Sequence, residues 1–524
     1  MTAIIFQTDK RIGVTYAYES TSFWDKEKKQ SRAKRKLIGK LDPETGLIVP
    51  TDARNKKAPQ DVSRSFCGAT ALFDAIGDKI GLTDDLKRCF PESYQQILSI
   101  AYYLILEDKN PLSRFPKWAA THKHPFGREI CSQRSSELFA SITEEARQQF
   151  FKRQSLRRAE AEFWAYDTTS ISSYSQGLRQ VKYGLNKEHD PLEQINLALL
   201  FGEKSGLPFY YRKLAGNISD IKTVNNLLAD LDVMGYQQVR LVMDRGFCSV
   251  ENINALYQAH LKFIMSPKLN LRLIATEKEA LMDSIRSWEN YNANHDLFAQ
   301  SRTITWPYSQ KRPYKGDTLS GERRMYFHLY FNAERAVDDE RRFHRLLHSL
   351  ETELKEGRRL QEHEKLYAKY FEVKSTPKRG IKITARQGAI DEVGRNYGYF
   401  ALISNTVKDP IEALEIYRNK DLAEKAFGDI KERLGGRRMA VSSELSLDGK
   451  LFVQFIALIF LSYIKKQMQD KELFKIYTMM ELLDELDSIE LFQHPKRKDR
   501  FSEVTKKQSD IFKAMNVNMP ASLC

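Results

Sequence analysis

Residues 162–175 read Glu-Phe-Trp-Ala-Tyr-Asp-Thr-Thr-Ser-Ile-Ser-Ser-Tyr-Ser. Aromatic, threonine and isoleucine side chains suit a pleated, half-buried surface, so the stretch predicts a β-strand, entered from a charged helical run. Side chains alternate along a strand. Phe163, Ala165, Asp167 and Thr169 therefore share one face, and Trp164, Tyr166 and Thr168 the other. Asp167 projects from the middle of a strand whose neighbours want burial. A lone buried carboxylate is costly unless it finds an arginine, a hydrogen-bond cage or a metal cation. Taken alone, the residue fits a structural ion pair or a turn cap as well as it fits catalysis.

Working outward, residues 194–201 and 208–212 read as the next two strands of a meander, after a polar loop at 186–191. A helix from Ser219 or Asp220 to about 234 follows, with Val224, Leu227, Leu228 and Leu231 on its apolar stripe. Residues 239–243 (Val-Arg-Leu-Val-Met) are typical of a strand buried on both faces, and they end in Asp244-Arg245-Gly246-Phe247. A helix (250–261) and a strand (263–265) come next. Three strands in a meander, then helix, strand, helix, strand, predict an α/β fold with helices packed on a mixed sheet.

Residues 270–395 break this rhythm: a strand at 324–331, a long charged helix at 334–367, and strands at 370–373 and 381–384. They read as an inserted subdomain. The core resumes with a strand at 399–404 and a helix over 410–434 stopped by Gly435-Gly436. The expected divisions are a basic N-terminal region (1–155), a first core part (156–269), the insertion (270–395), a second core part (396–470) and a helical tail (471–524).

Near the N-terminus, residues 14–18 favour a strand. Leu37-Ile38 and residues 47–49 flank an Asp-Pro-Glu-Thr-Gly turn, which predicts a hairpin. Between them lie Lys26, Lys28, Lys29, Arg32, Lys34, Arg35, Lys36 and Lys40. Such a run is either a solvated face or a ribbon that lies along a phosphate backbone. Helical patterns at 84–108 and 132–158 would complete an N-terminal DNA-binding unit.

The chain of 524 residues should form two to four domains. Its 83 Lys+Arg against 69 Asp+Glu, net +14, favour a polyanionic partner, nucleic acid first. Five scattered cysteines without a C-x-x-C pair point to reduced thiols, a cytoplasmic location and no zinc knuckle. Residues 1–6 are too short an apolar run for a signal peptide. The longest apolar run, 451–464, contains Gln454 and falls short of the ~20 residues of a membrane span, so a buried core helix is expected rather than a membrane partner. No P-loop or dinucleotide-binding glycine pattern occurs, so ATP or NAD use is not expected.

Two aspartates now stand out, Asp167 within one strand and Asp244 ending another. The helix expected at 410–434 supplies a third acid. At about 100° per residue from Tyr417, Lys420, Glu424 and Lys431 fall near −60°, −20° and −40°, one narrow stripe. A stripe of aromatic, cation, anion and cation suits either a solvated face or a site for phosphates.

Together these residues resemble the DDE transposases of bacterial insertion sequences, in particular the IS-four superfamily with its Tyr-Arg-Glu-Lys signature. That signature reads Tyr, two residues, Arg, three residues, Glu, six residues, Lys, and here runs Tyr417, Lys420, Glu424, Lys431. Lys420 stands where the family has Arg, keeping the charge and losing the planar fork. Asp244-Arg245-Gly246-Phe247 looks like the second-Asp motif and Tyr166-Asp167-Thr168-Thr169 like the first. The loop with Lys187, His189 and Pro191, and Gly216-Asn217 before Asp220, also look familiar from the group. The resemblance covers about residues 160–470.

The resemblance implies a ribonuclease-H-like catalytic fold with an insertion between the second Asp and the Glu. It implies that Asp167, Asp244 and Glu424 are catalytic and hold two divalent cations, Mg²⁺ or Mn²⁺. Tyr417, Lys420, Lys431 and Arg245 would bind DNA phosphates. The implied activity is cleavage at terminal repeats and strand transfer into target DNA, by a homodimer bridging two element ends near a bacterial or archaeal nucleoid. The alternatives are a nuclease that only cleaves and a catalytically dead DNA-binding descendant. Weaker candidates are a zinc site at His344 and His348, a nucleophilic Cys248, and a substrate-positioning His189.

Overall fold

Ten strands hydrogen-bond into one sheet, and the strand carrying Asp167 lies inside it. In chain order they are β1 (Trp164–Ser173), β2 (Gln194–Gly202), β3 (Pro208–Ala215), β4 (Arg240–Met243), β5 (Lys262–Met265), β6 (Tyr291–Asn292), β7 (Leu297–Lys311), β8 (Thr318–Phe331), β9 (Tyr399–Ser404) and β10 (Arg438–Met439). The sheet order is β6-β7-β8-β9-β5-β4-β1-β2-β3, with β10 alongside β1. The computed structural model describes the chain except residues 1, 10–12, 26–28, 44, 50–62, 108–109, 158–161, 176–177, 185–191, 237–238, 312–316, 377–379, 436–437, 440, 442, 494–497 and 520–524. Lys26, Lys28, the Lys187–His189–Pro191 loop and Gly436 lie outside the described residues.

The expected mixed sheet is present. β1, β2 and β3 form an antiparallel meander. β4 then pairs parallel to β1, and β5 parallel to β4. Parallel neighbours need crossover connections, supplied here by the helices Asp220–Val233 and Val250–Gln258.

The expected insertion divides into two parts. β7 and β8 pair with each other, and β8 pairs with β9, so residues 297–331 extend the main sheet. The first seven residues of β8 are exposed and the last seven buried. Only the buried half carries the apolar run that marks a strand in sequence. Tyr330 stacks on Phe400 of β9 with centroids 4.8 Å apart. Residues 333–394 instead share a small core of their own, built on Phe343, Leu350, Leu354, Tyr367, Tyr370 and Phe371. The long helix expected there is two, Ala333–Lys355 and Glu364–Tyr370. Gly357 at φ +69°, a backbone state glycine adopts freely, follows the first.

The apolar run at 451–464 lies in a 27-residue helix, Glu444–Asp470. It is long and apolar enough to cross a membrane, yet 89% of its most apolar window is buried inside the protein. N-terminal helices pack around it: Phe73 and Tyr102 meet Phe460, and Phe90 and Phe150 meet Phe452, at centroid distances of 5.0–5.8 Å. At Gly449 a Cβ would come within 2.1 Å of the Phe139 carbonyl oxygen, so the two helices cross with backbones nearly touching. Residue 155 is therefore not a boundary between compact units. Residues 66–489 with 504–524 form one unit, and 1–65 with 490–503 another. The expected N-terminal region is split because its helices share the aromatic core of the large unit.

In the small unit, Thr2–Asp9, Val14–Asp25, Gln30–Leu41 and Ile48–Val49 form a four-stranded antiparallel sheet. Lys36, Lys34 and Arg32 pair with Glu19, Thr21 and Phe23, which puts all three cations on one face.

Candidate active site

In β1 every residue is buried except Asp167, which is partly open. The parallel registers Tyr166↔Met243 and Met243↔Met265 make Asp167, Asp244 and Ser266 the next residues along three adjacent strands. They form a row across the sheet, Asp244 and Ser266 just past the carboxyl ends of β4 and β5 and Asp167 beside them within the longer β1. Carboxyl strand ends are where open α/β sheets bind ligands.

The third acid comes from the region expected as one helix over 410–434. It is three pieces: Pro410–Asn419, Asp421–Gly428 and a π-helical turn Asp429–Arg433. The Asp409 carboxylate accepts from the N–H groups of Ile411 (2.9 Å) and Glu412 (2.8 Å), and proline occupies the first helical position. At the break Lys420 keeps right-handed helical angles, and its N–H bonds the Tyr417 carbonyl three residues back at 3.3 Å. Tyr417, Lys420 and Glu424 consequently stay on one side. Lys431 sits half-buried in the wider π turn, where a spacing of 100° per residue no longer applies.

Tyr417 Oη donates to Asp244 Oδ1 at 2.5 Å. Lys420 Nζ donates to Glu424 Oε1 at 3.1 Å, lies 3.9 Å from Asp244 Oδ1, and stands 5.1 Å from the Tyr417 ring centroid. Asp167 also acts on this ammonium electrostatically. The Lys420 side chain is 9% exposed, those of Asp244 and Glu424 44% and 58%. One buried ammonium therefore stands between two carboxylates open to solvent, with Asp167, itself partly open, acting on it electrostatically.

Burial pushes the Asp244 pKa up, but the Tyr417 hydroxyl, Lys420 and the Arg245 N–H outweigh it and hold the carboxyl below its ordinary range. Burial pulls Lys420 down, and Asp244, Glu424 and Asp167 more than reverse it, so the ammonium stays charged. Burial and then Asp244 push Tyr417 upward, which keeps the phenol a donor. Asp167 Oδ1 accepts the Thr168 N–H at 2.7 Å, and the Thr168 hydroxyl donates to Asp220 Oδ1 at 2.6 Å.

The structure thus brings together Asp167, Asp244, Glu424, Tyr417 and Lys420. Arg245 is exposed in the turn Arg245–Phe247 directly after Asp244. Among the weaker candidates, His344 and His348 are exposed on the helix Ala333–Lys355. Cys248 is a buried thiol that burial pushes up to about 11, which removes it as a nucleophile. His189 lies outside the described residues. Sequence reading missed Ser266 and the bond from Thr168 to Asp220. The signal for Ser266 was present: like Asp244, it is the first polar residue after a short buried strand.

Among the described residues, no three His, Cys, Asp or Glu side chains stand close enough as arranged to hold a metal ion. Ionised carboxylate oxygens partly open to solvent are nonetheless the donors a hard divalent cation requires. The donor set fits such an ion by its chemistry.

The transposase DDE domain family matches residues 158–460, more than half of the chain. The chain belongs to this family. It is a transposase, and its process is DNA transposition. Members are DNA-cleaving, phosphoryl-transferring enzymes that generally use divalent metal ions. Among solved structures, the chain is similar to one in the cryo-EM structure of the piggyBac transposase synaptic complex with hairpin DNA. Sequence identity is 9% and the TM-score 0.35, over 80% of this chain and 76% of that one. No curated protein matches the sequence.

Proposed function

We infer that this transposase serves an insertion sequence of the IS-four type, cutting DNA at the element's terminal repeats and joining the freed 3′ ends to target DNA. The observation that carries the reading is that Asp167 and Asp244 lie side by side on adjacent strands, with Tyr417, Lys420 and Glu424 gathered at Asp244. In this reading the sheet is a ribonuclease-H-like core.

Asp167, Asp244 and Glu424 would hold two Mg²⁺ or Mn²⁺ ions. When bound, such ions activate the attacking oxygen and stabilise the leaving oxygen of an in-line phosphoryl displacement. The chain's own groups do the rest. Tyr417 fixes the orientation of Asp244 through its hydroxyl. Lys420, Lys431 and Arg245 offset phosphate charge on the scissile strand. Residues 1–65 carry 14 Lys+Arg against eight Asp+Glu, and the face of Arg32, Lys34 and Lys36 would lie along the duplex backbone. Two protomers would bridge two element ends in the cytoplasm.

The test is cleavage of a labelled duplex carrying the element's own end, with Mg²⁺, by the wild type and by Asp244→Ala. Nicking at the element boundary that requires both the metal and Asp244 is expected, with joined products when target DNA is present. Cleavage without joining would leave a nuclease. Binding without cleavage by the wild type would leave a DNA-binding descendant.

A further inference from the structure

The Lys420 ammonium occupies the space between two of the carboxylates, 3.1 Å from Glu424 and 3.9 Å from Asp244, and is nearly buried there. A cation bound jointly by Asp244 and Glu424 would have to lie in the same space. A lysine that only ties down an acid looks different in this protein: Lys465 gives Asp429 two bonds of 2.6 Å, one to each oxygen of a buried carboxylate. Lys420 stands between two acids and makes one close bond.

We propose that Lys420 is a built-in stand-in for the divalent cation. Its ammonium holds Asp244 and Glu424 together until the ion arrives, and the ion's arrival expels it toward the scissile phosphate. The proposal rests on the reading that these three carboxylates hold the metal. An ammonium and a divalent ion cannot share oxygens a few ångströms apart without strong repulsion, so metal binding is an exchange rather than a simple addition. The displaced ammonium then needs a new anion, and a DNA phosphate is one. Metal and DNA would therefore strengthen each other's binding through a single side chain, by equal factors in both directions. A compact ammonium suits this role better than a guanidinium, whose planar fork does not fit a spherical ion's place. That is a physical use for lysine at the position where the resembled signature has arginine.

The experiment is Mn²⁺ binding to the full chain without DNA, followed by calorimetry, for the wild type, K420M, K420R and D244N. K420M should bind Mn²⁺ at least about tenfold more tightly than the wild type, because the competing charge is gone. K420R keeps the charge but its planar fork does not fit the ion's place, so it should fall between K420M and the wild type, and D244N should lose most binding. Thermal melting guards against misfolding: K420M should be less stable than the wild type without metal, and gain more from added Mn²⁺. Equal or weaker Mn²⁺ binding by K420M, with D244N still defective, overturns the stand-in role and leaves the metal reading intact. Wild-type Mn²⁺ binding by D244N removes both.

Discussion

Two clusters in the large unit use the same ingredients, carboxylates and basic side chains, in opposite proportions. Asp85, in the helix Leu82–Cys89, has a side chain with no exposed surface. It accepts from Arg153 Nε (2.8 Å), Arg157 Nε (2.8 Å) and Nη2 (2.9 Å), and Gln154 Nε2 (2.7 Å). Burial pushes its pKa up, and these partners more than reverse it. Two cations converge on this one buried anion, each reaching the exposed Asp84 only at 3.7 Å, and both oxygens of Asp85 are saturated. At the candidate active site one ammonium stands between two anions that remain open, with a third, partly open, acting on it electrostatically. A saturated carboxylate is a structural tie. An excess of ionised carboxylates around one cation is poorly compensated by the protein alone, and that deficit is what a metal ion can relieve.

The sharpest break of this comparison is to remove one acid from each cluster. Glu424→Ala should lower cleavage at least about 10³-fold, the scale of losing one preorganised electrostatic group. Its melting temperature should barely move, because Glu424 is exposed and Lys420 keeps Asp244. DNA binding in low salt should survive; its loss would make Glu424 a structural residue and erase the contrast. Asp85→Asn should do the reverse. Urea unfolding at pH 7 should show a loss of about 3 kcal/mol, since a buried, charge-assisted network is broken, while cleavage per folded molecule is kept. The pH dependence has a definite sign. The folded pKa of Asp85 lies below its ordinary value, so its contribution is present above the unfolded pKa of about 3.9 and disappears as pH falls through the folded one. The difference in stability between Asp85→Asn and the wild type should accordingly shrink below that pH.

The contrast also marks what a sequence makes legible. The meander and the two parallel strands could be read because apolar runs of three to five residues announce buried strands. Asp167 and Asp244 were visible as acids set against such runs. The seven exposed residues of β8 have no apolar pattern, and its pairing with β9 depends on residues about 75 apart in the chain. The N-terminal boundary failed for a similar reason: the partners of Phe73, Tyr102 and Phe150 lie more than 300 residues later, at Phe452 and Phe460. Tyr417, Lys420 and Glu424, three and four residues apart in the sequence, lie side by side. Their spacing could not reveal that the helix breaks at Lys420 and widens at Asp429, because both changes are set by packing rather than by local propensity.

The smallest expected effect tests how tightly the open cluster is held. Tyr417→Phe removes the hydroxyl that donates to Asp244 and keeps the ring beneath Lys420. A hydrogen bond to a charged group contributes more than a neutral one, but Asp244 is partly open and water can replace the phenol. The net loss should be about 1 kcal/mol, a five- to tenfold fall in cleavage under saturating Mg²⁺. Folding stability should stay level, since the ring's packing is unchanged and the lost bond served a carboxylate that water can reach. A fall as large as that of Glu424→Ala would place the phenol among the reacting groups rather than behind one of them. No change at all would mean that Lys420 and the Arg245 N–H fix Asp244 without help, and that the open cluster is held more like the saturated one than its geometry implies.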